Sequence, residues 1–169
     1  MLSSLLKYTL LFVLLVLLQA LVWENISVLG YATPYLYIYF VIKLPIGLNR
    51  YLITFLGFIL GLTIDMFANT PGLAAAATTF VAFFRRPIQG LCFERDGFSS
   101  FIPGISILGG GFMKYAVICV FLHHAILLLL ESFSYFNIQI IALKILSSTI
   151  LTSLLIFAVD SLASGKKKV

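Results

Sequence analysis

Residues 4 to 22 read SLLKYTLLFVLLVLLQALV, a run about as long as the roughly 20 apolar residues that carry a helix across bilayer hydrocarbon. Where lipid replaces water, such a run has to satisfy its backbone N–H and C=O groups within itself or against protein. The rest of the chain has the same character: 62% of its residues are hydrophobic and 10% are charged, and its mean hydropathy is +1.12. A soluble domain carries roughly 25% charged residues. The sequence therefore predicts an all-α integral membrane protein with no soluble domain.

Its 169 residues allow six passes, predicted at about 4–22, 34–48, 51–67, 71–84, 112–130 and 138–159, in one membrane domain over 1–169. The second and fourth are short. At about 1.5 Å of rise per residue they fall short of a hydrocarbon layer roughly 30 Å thick, so they must reach into the interface or be sheltered by neighbouring helices. Placing both termini in the cytoplasm gathers Lys7, Lys43, Arg50, Arg85, Arg86, Arg95, Lys114, Lys166, Lys167 and Lys168 on the inner side, and leaves Lys144 as the exception among the basic residues. The outer connections hold Glu24, Asn25, Asn69, Glu131 and Asn137 and no Lys or Arg. This asymmetry predicts six spans with N and C termini inside. The net charge of +5 then reports topology and attraction to anionic lipid, with no nucleic-acid partner. The first span resembles a signal peptide in having Lys7 before an apolar stretch, but its length and the lack of a small-x-small cleavage site favour a retained helix.

Catalytic and cofactor patterns are weak. His123 and His124 are adjacent, about 100° apart on a helix, and so lack the i, i+4 spacing that shares a metal. GGGFMK, residues 109–114, lacks phosphate-loop spacing and marks a flexible, close-packed helix start. Cys92 and Cys119 fit no metal or redox spacing. The expectation is a non-enzymatic protein with no cofactor and no metal.

The stretch GFILGLTIDMFANTPGLAAA, residues 57–76, carries the main signal. Gly57, Gly61 and Asp65 recur every four residues and share one helical stripe, where small residues let another helix come close in lipid. After DMFANT, Thr70 is placed as an N-cap and Pro71 as the first residue of the next helix. That helix opens with a small face of Ala74, Ala75, Thr78, Thr79 and Ala82, so the two helices are expected to form a tight hairpin. Asp65 lies near the N-terminus of the second helix, where free N–H groups and the positive dipole end favour a carboxylate. The leading role for the acid is to tie down the hairpin; contact with a partner and handling of a proton or substrate are the alternatives. An acid that only ties the hairpin is expected to tolerate replacement by Asn. The segment 85–111, with Phe93, Phe98, Phe101 and Ile102 among charges and prolines, is predicted to be a cytoplasmic interfacial loop, with Arg85, Arg86 and Lys166 to Lys168 at the membrane surface.

Pro34 followed by Gly57, Gly61, Leu62 and Asp65, and then by Gly72 and Leu73 beside Pro71, resembles the core of the MreD rod-shape-determining membrane proteins over roughly residues 30–85. The resemblance implies a component of the bacterial inner membrane that supports side-wall peptidoglycan synthesis. Its implied partners are an MreC-like protein, a RodA-type glycosyltransferase with its transpeptidase, and the MreB filament. The implied fold is that of the substrate-binding subunits of energy-coupling-factor transporters, which supplies a rival function as a small-molecule (vitamin) transporter subunit. Such subunits commonly carry an Ala-x3-Ala motif in the first helix, and residues 4–22 hold a single alanine, Ala20. On the MreD reading, Gly57, Gly61, Asp65, Pro71, Gly72, Ala74 and Thr78 are helix-packing or partner-contact residues.

Overall fold

A computed structural model describes residues 2–21, 32–93, 101–132 and 137–165. Among these residues there are helices and no strand. The helices are α1 (Leu2–Leu21), α2 (Ile38–Lys43), α3 (Arg50–Ala68), α4 (Leu73–Cys92), α5 (Ile105–Leu108), α6 (Gly110–Glu131) and α7 (Ile138–Gly165). Three stretches, Arg50–Ala68, Gly110–Glu131 and Ile138–Ala163, are long and apolar enough to cross a membrane, and a shorter apolar helical stretch covers Leu6–Leu21. Leu, Ile, Phe and Val side chains stand outward along α1, α3, α6 and α7, as a bundle embedded in hydrocarbon requires.

α4 packs between α3 and α6, and α7 lies against α6. The short α2 contacts α1, α3, α4 and α6, and its residues Ile38 to Ile42 are all buried. Backbone at this depth is tolerated where protein covers it on every side. The predicted span 34–48 is thus a mixed element: extended and turning chain from Ala32 to Tyr37, six helical residues, and a turn from Leu44 to Asn49. Pro34 and Pro45 explain its brevity, because each removes a donor and restricts the residue before it.

Other boundaries differ from the sequence reading as well, and α7 continues to Gly165, beyond the predicted 159. The fourth helix runs from Leu73 to Cys92 and not over 71–84, so the first eight residues of the predicted 85–111 loop are helical. It continues past Arg85 and Arg86, and Pro87 lies inside it. Charge and proline in sequence read as a helix end; in the fold Arg85 turns inward and finds acceptors. Residues 94–100 and 166–169, with the expected surface lysines Lys166, Lys167 and Lys168, lie outside the described residues.

Candidate functional site

The glycine stripe and the small face of α4 meet. A Cβ at Gly57 would lie 2.8 Å from Ala82 Cβ and 3.1 Å from the Thr78 carbonyl oxygen. One at Gly61 would lie 2.6 Å from the Ala74 carbonyl oxygen and would overlap Ala75 Cα and Thr78 Oγ1. No side chain fits there without moving the helices apart. Thr78 is fully buried and donates its hydroxyl to the Ala74 carbonyl at 2.6 Å, so its polarity is absorbed within α4.

Asp65 sits at the end of the same stripe, and its two oxygens face the start of α4. Oδ1 accepts from the Ala74 N–H at 2.8 Å and the Thr70 hydroxyl at 3.1 Å, and Oδ2 accepts from the Ala75 N–H at 2.9 Å. With Gly72 as N-cap, Ala74 and Ala75 are the second and third helical residues, whose N–H groups an N-cap side chain ordinarily takes. Here the preceding helix supplies the acceptor. Thr70 is therefore not the N-cap, and Pro71 is not the first helical residue: Pro71 and Gly72 form the turn, with Gly72 at φ +88°. Asn69 closes α3 in the left-handed region at φ 55°, a conformation that Asn tolerates better than most residues.

A second arrangement surrounds residues 32–46, and sequence reasoning did not single out the polar residues of α7 or Gln19 that hold it. The Thr33 N–H donates to Ser148 Oγ at 3.0 Å, the Tyr35 N–H donates to Thr152 Oγ1 at 3.2 Å, and Asp160 receives the Tyr39 hydroxyl at 2.9 Å and pairs with Lys43. Two extended residues advance about 6.6 Å and four helical residues about 6 Å, so donors two apart on the segment match hydroxyls four apart on α7. Tyr39 and Lys43, four apart on α2, share a face and converge on one carboxylate. Asp160 has no exposed surface; its other oxygen accepts from the Ile105 N–H at 2.8 Å, which fastens α5 to the bundle. Gln19 of α1 completes the upper end, donating to the Pro34 carbonyl at 3.2 Å and accepting from the Leu36 N–H at 3.1 Å.

The lower end is held by Arg85, which is 1% exposed. Its guanidinium donates to the Leu44 carbonyl, to the Pro45 carbonyl at 3.3 Å and, through Nε, to the Tyr115 hydroxyl at 2.8 Å. The carbonyls at the end of α2 have no helical partner, and a planar fork with five donors suits several of them together. Arg85 is thus a buried capping residue and not the membrane-surface cation that its sequence context suggests. Arg86, by contrast, is exposed and donates to the Leu48 carbonyl at 3.0 Å.

Both histidines join this interior. His123 Nε2 lies 3.0 Å from the Tyr37 hydroxyl. His124 lies between the Val120 carbonyl, 2.7 Å from Nδ1, and Thr152 Oγ1, 3.2 Å from Nε2. Each ring thus bonds to a different element. Above them, Gln19, Tyr35, Tyr37, Thr70, Leu127 and Glu131 contribute to the lining of a cavity of about 240 Å³. Among the described residues, no group of three or more His, Cys, Asp or Glu side chains is placed to hold a metal.

One sequence signal could have exposed the second arrangement. Ser148, Thr152 and Asp160 fall at multiples of four along α7, with Ile156 between, and all are buried. A polar stripe in an apolar helix has to face protein. Comparison with protein-family models, curated proteins and solved structures returns no match for this chain.

Proposed function

We propose that this chain is a non-enzymatic membrane component of the bacterial cell-elongation machinery, of MreD type. It crosses the inner membrane six times with both termini in the cytoplasm, in the manner of energy-coupling-factor substrate-binding subunits, and acts beside an MreC-like protein to support side-wall peptidoglycan synthesis. The observation that carries the reading is the Gly57–Gly61–Asp65 stripe. Gly57, Gly61 and Asp65, the central residues of the MreD resemblance, belong to one packing device in which α3 both approaches and caps α4. The distribution of Lys43, Arg50, Arg85, Arg86 and Lys114 around one end, with Asp65, Asn69 and Glu131 toward the other, supports the orientation.

Affinity purification from mild detergent, followed by identification of retained proteins, tests the proposal. An MreC-like membrane protein is the expected partner, with the RodA-type glycosyltransferase and its transpeptidase as further candidates. Recovery of an ATP-driven transporter module in its place would favour the rival reading, a small-molecule transporter subunit. That rival draws on the cavity beside the broken segment, since irregular backbone at membrane depth often lines a binding site in transporters.

A further inference from the structure

The surface where α3 and α4 meet at the basic end of the bundle holds two arginines that no described carboxylate neutralises. The Arg50 guanidinium carbon lies 3.6 Å from the centre of the Phe83 ring, and its Nε–H is buried with no hydrogen-bond partner. Arg86 anchors to the Leu48 carbonyl, two residues before Arg50, and stands three residues after Phe83 on one face of α4. Each guanidinium therefore reaches across the same seam, Arg50 toward α4 and Arg86 toward the chain just before α3. Of the described carboxylates, Asp65 and Glu131 lie toward the other end and Asp160 is paired with Lys43. Outward from the pair, Phe80, Phe83, Phe84 and Phe55 form an exposed aromatic and apolar surface.

We infer that this surface binds one anionic phospholipid, its phosphate between Arg50 and Arg86 and its acyl chains along Phe80, Phe84 and Phe55. A phosphate diester accepts paired N–H bonds from a guanidinium, and these charge-assisted bonds strengthen where water is scarce. The ring of Phe83 covers one face of the Arg50 guanidinium, so its remaining donors are directed by its edge. A zwitterionic headgroup brings its own ammonium into the same place and binds less well. The inference depends on the chain lying in a membrane and is independent of any role in cell elongation.

The test is native mass spectrometry of the full chain in micelles supplied with phosphatidylglycerol and phosphatidylethanolamine of matched acyl chains. The expected result is one retained phosphatidylglycerol in clear preference to phosphatidylethanolamine. The Arg50→Gln/Arg86→Gln double variant should lose retention by about a hundredfold, about tenfold for each guanidinium removed, and Lys114→Gln on α6 should not. If the double variant accumulates too poorly to measure, Phe83→Leu keeps both charges, removes the ring and should weaken retention on its own. Equal retention of the two lipids, or a phosphatidylglycerol adduct indifferent to these substitutions, would overturn the site. So would complete displacement by glycerol phosphate at the lipid's own concentration, which would make the acyl chains irrelevant.

Discussion

Asp65 does for α4 what an N-cap side chain does for an ordinary helix, and the geometry shows why it has to be an acid. Each oxygen accepts an N–H, and Oδ1 also takes the Thr70 hydroxyl. Asn would turn an NH2 group toward one of those donors, so the tolerance expected from sequence gives way to a loss. Asp65→Asn should destabilise the protein by about 1–3 kcal/mol, the cost of leaving a buried donor unsatisfied, read as a lowered unfolding temperature in detergent. A melting curve equal to wild type would refute the double-acceptor role. Arg85 is the complementary case, a cation that satisfies carbonyls. Lysine keeps its charge but loses the fork, so Arg85→Lys cannot hold Tyr115 and the Leu44 and Pro45 carbonyls together. We expect this variant to accumulate less and to melt earlier; unchanged abundance and melting would return Arg85 to the role of a surface anchor.

At the scale of elements, two packing contacts rely on a period of four. Along α3 the repeat is glycine and the consequence is proximity. Gly61→Ala should therefore cost about 1–3 kcal/mol through overpacking, whereas Gly110→Ala, with open space where its Cβ would go, should be close to neutral in the same melting assay. Along α7 the repeat is polar and the consequence is a ladder for extended backbone. Thr152→Val keeps the shape but removes the acceptor of the Tyr35 N–H and the partner of His124, so the Tyr35 amide should exchange with deuterium faster than in the wild-type protein. The α3 repeat could be read in sequence because its glycines and acid are rare residues in apolar surroundings and their partners follow in the very next helix. The α7 repeat could not be interpreted in the same way. Its partners in residues 33–39 are more than a hundred residues away, and a lone Ser or Thr in an apolar helix is common. Arg85 misled for a related reason: beside Arg86 and Pro87 it has the signature of a helix end at the membrane surface, and only the position of α2 reveals its acceptors.

For the whole molecule, membrane character was legible in composition, because a chain with 10% charged residues has little else with which to cover a soluble surface. The element that departs most from a simple bundle, residues 32–49, was legible only as too short. The side chains that hold its extended half and its six-residue helix come from three different helices, α1, α4 and α7. Six passes with both termini inside predict a cytoplasmic signal from reporter fusions after Arg86 and after Val169, and a periplasmic one near Asn137; a periplasmic signal at Val169 would overturn that topology. The most direct test of the proposed function is cell shape on depletion of this chain in the cells it comes from. The account predicts rounding that re-expression of the full chain reverses. Rods of unchanged width that instead acquire a requirement for a vitamin would contradict it.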